Sequence, residues 1–201
     1  MNILDLLQGQ MSEGLVDQLS QQLGADKSQT TAAASGIFST LMGALARNAA
    51  DPKGAESLNN ALDRDHDGSI LDNLGGFLGG QTQPSNNNMM NGAGILKHIL
   101  GGKQSGAIDM ISQMSGLDSS KTGSLMSMLA PMVLGTLGRQ KKTQGLDVSG
   151  LAGMLTETVS ASKERPEMGL VGKLLDRDGD GSIMDDVAGI GMNIFSKFLR
   201  R

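Results

Sequence analysis

The 201-residue chain has no cysteine, no tryptophan and no tyrosine, with two histidines and four phenylalanines. Each shortage removes a class of function. Without cysteine there is no disulfide framework, zinc–thiolate site, iron–sulfur cluster or thiol nucleophile. The two histidines, His66 and His98, are distant in sequence, which excludes a multi-histidine metal site. Stacking platforms for nucleic-acid bases need aromatic side chains, and a net charge of −4 disfavours a phosphate backbone, so no nucleic-acid partner is expected. Long apolar runs are missing too. Two long uncharged stretches, 28–46 and 122–138, are broken by Ser, Thr, Gln and Gly, so they suit buried helices better than membrane spans. The first ten residues carry Asp5 and no basic lead, which predicts no signal peptide and a cytoplasmic protein.

What remains is a small-residue, flexible-side-chain interior. Leu, Ile, Val and Phe together make 47 residues, just enough for a core, supplemented by 14 Met and by 29 Gly that permit close helix approach.

The chain also matches itself. Offset by 92 residues, Ile3-Leu4 falls on Ile95-Leu96, Asp17 on Asp109, Gly24 on Gly116, Asp26 on Asp118, Gly43 on Gly135 and Arg47 on Arg139. A later echo, offset by 113, sets 62–70 against 175–183. The pattern predicts an all-α fold of two tandem repeats of a small helical unit, each ending in an Asp-rich loop and a helix. The repeats are expected at 1–79 and 93–201, joined by a flexible linker at 80–92 that holds Pro84 and three consecutive Asn. Helical spacing is clear in Leu15, Val16, Leu19 and Leu23, then in Ile37, Leu41 and Leu45, and again in Leu125, Leu129, Val133 and Leu137. Gly24 and Gly116 are predicted helix stops, and Asp26 and Asp118 predicted N-caps. Pro131 should kink its helix or fall near its start.

The two acidic loops, 63–72 and 176–185, carry the chemistry. Asp63, Asp65 and Asp67 alternate, Gly68 follows, then Ser69, with Asp72 at the tenth position; Asp176, Asp178, Asp180, Gly181, Ser182 and Asp185 repeat that spacing. Alternate carboxylates can face one centre when the backbone curls round a cation, glycine at position six permits the sharp turn, and the carbonyl at position seven adds an oxygen. Such hard oxygen ligands suit Ca²⁺, and Mg²⁺ less well. Residues 63–72 hold four Asp against one Arg, a net of −3, and 176–186 hold five against one, a net of −4, so the rest of the chain carries +3. Two Ca²⁺ ions would cancel the formal charge. The expected ligands are Asp63, Asp65, Asp67, Ser69 and Asp72 in the first loop, and Asp176, Asp178, Asp180, Ser182 and Asp185 in the second. His66, at the fourth position, is expected to point into solvent.

Both loops resemble the EF-hand calcium loop through position eight. They depart at position twelve, where Leu74 and Val187 stand in place of a bidentate Glu, and closure at position ten is similar to the shortened loops of bacterial extracellular calcium-binding repeats. In an EF-hand pair the position-eight residues meet, which would set Ile70 beside Ile183. The opening Met-Asn-Ile-Leu-Asp-Leu-Leu-Gln-Gly-Gln, Gln-Leu-Gly-Ala-Asp-Lys, Leu-Ala-Arg-Asn-Ala-Ala and Leu-Asp-Arg-Asp-His-Asp-Gly-Ser resemble the bacterial family called domain of unknown function 937, over most of residues 1–185. That resemblance implies a helical bacterial protein and supplies no activity.

Enzyme motifs are lacking. A phosphate loop at Lys103 fails, since Lys97 and Gln104 stand where Gly and Ser/Thr are needed, and no nucleophile elbow occurs. His98 reads as an edge residue of an apolar helix. The expectation is a non-enzymatic calcium-binding protein. The alternative is a self-assembling or protein-interaction module working through its Met- and Gly-rich helices or through 187–201, with membrane-surface binding not expected.

Overall fold

The computed structural model describes residues 3–73, 76, 91–162, 169 and 172. Every element among them is helical, as the all-α expectation requires. In chain order these are α1 (Ile3–Gln10), α2 (Glu13–Leu23), α3 (Lys27–Ala50), α4 (Pro52–Arg64), α5 (Gly92–Leu100), α6 (Gln104–Ser115), α7 (Ser119–Gln144) and α8 (Val148–Ala161), with 3₁₀ turns at Ser69–Asn73 and Gly101–Lys103. The second acidic loop, most of the linker and the segment 187–201 lie outside the described residues.

Two long helices form the interior. Every residue of α3 from Gly36 to Ala46 is buried, and so is every residue of α7 from Leu129 to Gly138. A helix apolar all round needs neighbours all round. Accordingly α3 packs on α6, α7 and α8 as well as on α2 and α4, while α7 also meets α1, α4 and α5. One hydrophobic cluster runs from Ile3 to Val159 and draws on both halves of the chain. Small residues make the crossings close: at Gly36, Met114 and Ile111 of α6 fill the space a β-carbon would take.

Among the shorter helices, α2 follows its expected face. Leu15, Val16, Leu19 and Leu23 of α2 are buried, and Ala55, Leu58 and Leu62 form the inner face of α4. Gly24 ends α2 at φ 57° and Gly116 ends α6 at φ 72°, in the left-handed conformation that releases the chain. Asp118 caps α7 with its side chain, accepting from the Ser120 and Lys121 amides. Asp26 stands at the matching cap position of α3 without a side-chain bond; its backbone carbonyl accepts from Thr30 instead. Pro131 lies inside α7 rather than near its start. Having no N–H, it leaves the Ser127 carbonyl unclaimed by the helix ladder. That carbonyl points at Gly92, the first residue of α5, where a β-carbon would lie 1.9 Å from its oxygen.

Helix bounds keep the 92-residue offset. Shifting α2 and α3 by 92 gives 105–115 and 119–142, beside α6 at 104–115 and α7 at 119–144. Two contacts are reciprocal under the same offset. Gln29 Nε2 donates to the Gly116 carbonyl at 2.8 Å, and Lys121 Nζ donates to the Gly24 carbonyl at 2.5 Å.

Candidate functional site

The first acidic loop begins in the last turn of α4 and ends in the 3₁₀ turn, and its inner side rests on α7. The contact is nearly backbone to backbone. At Gly138 a β-carbon would lie 1.8 Å from the His66 carbonyl oxygen. Ile70, 7% exposed, fills the space beside Gly135. Two glycines one turn apart thus make a seat for the loop on an otherwise bulky helix. Gly68, at position six, has φ 94°, the left-handed turn expected of it.

The carboxylates are distributed rather than gathered. Asp63 accepts from Lys141 Nζ and from Asn59 Nδ2. Asp72 accepts from Arg139 Nη2, which also donates to the Gly68 carbonyl at 2.9 Å. Asp67 accepts from the Ser69 amide at 3.0 Å, a bond that holds its pKa below the ordinary carboxylate value. Asp65, at the C-cap of α4, lies on the other side of the loop, in the wall of a groove. The side chain of Ser69 is exposed. Among the described residues no three acidic or histidine side chains form a metal-holding group. Asp176, Asp178, Asp180, Ser182, Asp185 and Ile183 lie outside the described residues.

His66 departs from expectation. It was to be solvated at position four, and it is 4% exposed. The loop docks on α7 through this residue's backbone, so its side chain is enclosed between elements. Burial lowers the imidazole pKa, with the Asp65 carboxylate opposing, and Nδ1 has no hydrogen-bond partner. Sequence reasoning also missed Arg139 and Lys141, the cations that meet Asp72 and Asp63. One signal was available: the Arg-Gln-Lys-Lys run at 139–142 has no acid within four residues on either side, so local helix pairing cannot neutralise it. Its position at the C-terminal end of α7 suits the helix dipole as well.

Behind the loop, a groove of about 1250 Å³ opens between the end of α3, α4 and α5. Both histidines line it. His98 is exposed there on α5, in keeping with its reading as an edge residue. No described helix is long and apolar enough to cross a membrane.

The model of the family described as bacterial protein of unknown function (DUF937) matches residues 5–140. The chain belongs to this family. The match takes in α1 through most of α7 and the whole first loop. It stops at 140, short of the reach to 185 that the sequence resemblance suggested, and the second loop falls beyond it. No curated protein and no solved structure matches the chain.

Proposed function

We propose that this DUF937 protein is a non-enzymatic calcium-binding protein, in which loops 63–72 and 176–185 each take one Ca²⁺. The observation that carries the reading is alternate Asp63, Asp65 and Asp67 leading into Gly68 at φ 94°, a spacing the sequence repeats at 176–181. In the first loop Asp63, Asp65, Asp67, the Ser69 carbonyl and Asp72 would hold the ion, and Asp176, Asp178, Asp180, the Ser182 carbonyl and Asp185 would do so in the second. The side chains of Asp63 and Asp72 are 54% and 72% exposed, so both can turn without disturbing the core. Lys141 and Arg139 bring to this loop positive charge of the kind a bound cation would bring. Ion binding at this loop therefore competes with its ties to α7. The sequence places no recognised catalytic motif beside the carboxylates, and the reading is therefore a binding one.

The two loops belong to a tandem arrangement, which the reciprocal Gln29–Gly116 and Lys121–Gly24 bonds support. Equivalent residues contact each other's counterparts, as at a two-fold interface between identical subunits. Titration calorimetry of the chelator-stripped chain with Ca²⁺ tests the function. Two binding events are expected, one lost in Asp63→Ala and the other in Asp176→Ala. Absence of heat and of any thermal shift at millimolar Ca²⁺ would end the proposal.

A further inference from the structure

The seat of the first acidic loop on α7 has a counterpart on α3. Ile70 lies beside Gly135, its Cγ2 2.6 Å from where a β-carbon would stand. Gly68 lies against Arg139, whose Nη2 donates both to the Gly68 carbonyl, at 2.9 Å, and to the Asp72 carboxylate. Offset by 92, Gly135 and Arg139 recur as Gly43 and Arg47 of α3, again one turn apart. Offset by 113, the loop residues that touch them recur as Gly181, Ile183 and Asp185. Both sides of each contact are therefore duplicated with identical residues.

The packing around the two long helices exchanges in the same way. α1 packs on α7, and its counterpart α5 packs on α3; α2 meets α7, and its counterpart α6 meets α3. The Gln29–Gly116 and Lys121–Gly24 bonds exchange as well. A loop carried by the first half rests on the long helix of the second. The same exchange sends the loop of the second half to the long helix of the first. The chain can reach it. α8 packs on α3. The 13 residues between Ser162 and Asp176 can extend over roughly 45 Å, more than the ~36 Å length of the 24-residue α3.

We propose that the second acidic loop, a segment outside the described residues, docks on α3, with Ile183 beside Gly43 and the Arg47 guanidinium donating to the Gly181 carbonyl and the Asp185 carboxylate. This docking rests on the tandem reading of the chain and needs no metal. It needs no idle cation either. Arg47 has interactions of its own, and a guanidinium carries five N–H donors, as Arg139 shows by serving two acceptors at once. The second seat is the looser one. Ala46 stands for Gly138, so the loop must sit further off the helix there, and Ala49 stands for Lys141, so one cation holds the loop instead of two. Arg47 shares the groove behind the first loop with Asp65 and His66, which sets the docked loop across that groove from the first.

The chain has no cysteine, so introduced thiols report their own positions. The test uses the full chain in chelator and a short bis-maleimide. Positions one residue along from each Arg–Gly contact leave the contact itself intact. The double variant Asn48→Cys/Ser182→Cys is expected to be linked within one chain, as is the reference double variant Gln140→Cys/Ser69→Cys on the seat already described. Adding Arg47→Asp to the first of these should cut the yield of linked chain by half or more, and adding Asp185→Arg as well should restore it. Linkage of the reference pair with none of the 48/182 pair would overturn the docking and leave the first loop's seat in place. So would a loss on Arg47→Asp that Asp185→Arg does not restore, which would assign Arg47 to other partners. Because chelator is present throughout, the outcome is separate from the calcium titration: a linked second loop with no heat of calcium binding would end the calcium reading and leave the docking.

Discussion

The carbonyl oxygen of His66 stands where the side chain of Gly138 would begin, 1.8 Å from the position of its β-carbon. The loop and α7 can sit this close only because residue 138 has no side chain. Gly138→Ala must push the loop outward, loosening Ile70 from Gly135 and straining the Lys141–Asp63 pair. Overpacking of this kind costs about 1–3 kcal/mol. Urea denaturation should show that loss. Gly153→Ala, in α8 with nothing within 4 Å, should instead raise stability by about 0.5–1 kcal/mol.

Pro131 and Gly92 should prove coupled. Gly92→Ala alone places a methyl against the Ser127 carbonyl and destabilises by about 1–3 kcal/mol. Pro131→Ala restores the amide that lets this carbonyl turn back into the α7 ladder. In the double variant part of the Gly92 cost should be recovered, with a coupling of at least about 0.5 kcal/mol in a double-mutant cycle. Strict additivity would show that the carbonyl does not turn.

Acid should weaken the metal-free protein through His66. Its folded pKa lies below the ordinary 6.5 because burial disfavours the charged ring. As pH falls past about 6.5 the unfolded chain takes up a proton that the folded chain refuses. Stability is therefore whole above that pH and declines as pH drops toward the folded pKa, at up to about 1.4 kcal/mol per pH unit. Asp67, depressed below 3.8, keeps its stabilisation across this range and loses it only at lower pH, as pH falls from 3.8 through its folded pKa. Denaturation in chelator between pH 7.5 and 5.5 should show the first decline, and His66→Gln should flatten it.

Much of the fold was legible in residue spacing. The buried faces of α2, α3 and α7, the stops at Gly24 and Gly116 and the Asp118 cap depend on contacts within a turn or two, which local patterning encodes. The site was legible only in part. Gly68 and its turn could be read directly, since a positive φ is a property of one residue. The partners of Asp63 and Asp72 could not, because Lys141 and Arg139 lie 78 and 67 positions along the chain and meet them through tertiary packing. The same holds for His66. Position four of an open loop faces water; position four of a loop seated on Gly135 and Gly138 does not. The groove, assembled from four helices, leaves no mark on any one segment.

Calcium affinity at the first loop should depend on Lys141. Its side chain is 11% exposed and tied to Asp63, so a cation must displace it. Lys141→Met keeps the packing of the stem and removes the competitor. A partly exposed ion pair is worth up to about 1 kcal/mol, which corresponds to roughly a fivefold tighter Ca²⁺ constant by calorimetry. Unchanged affinity at this loop, with Asp63→Ala still abolishing it, would separate Lys141 from the ion site while leaving the site intact.

The enclosure of α3 sets an order of events during synthesis. Its sides are covered by α6, α7 and α8, whose residues are translated after it. At about 5–20 residues per second, the stretch from the end of α3 to the end of α8 takes roughly 5–20 s to emerge. For that interval the nascent first half holds an apolar helix with no cover for much of its surface. Long-range closure of this kind also slows folding after release. The need for holding chaperones therefore falls on the interval between α3 and α8, and a translational pause there would lengthen the exposure.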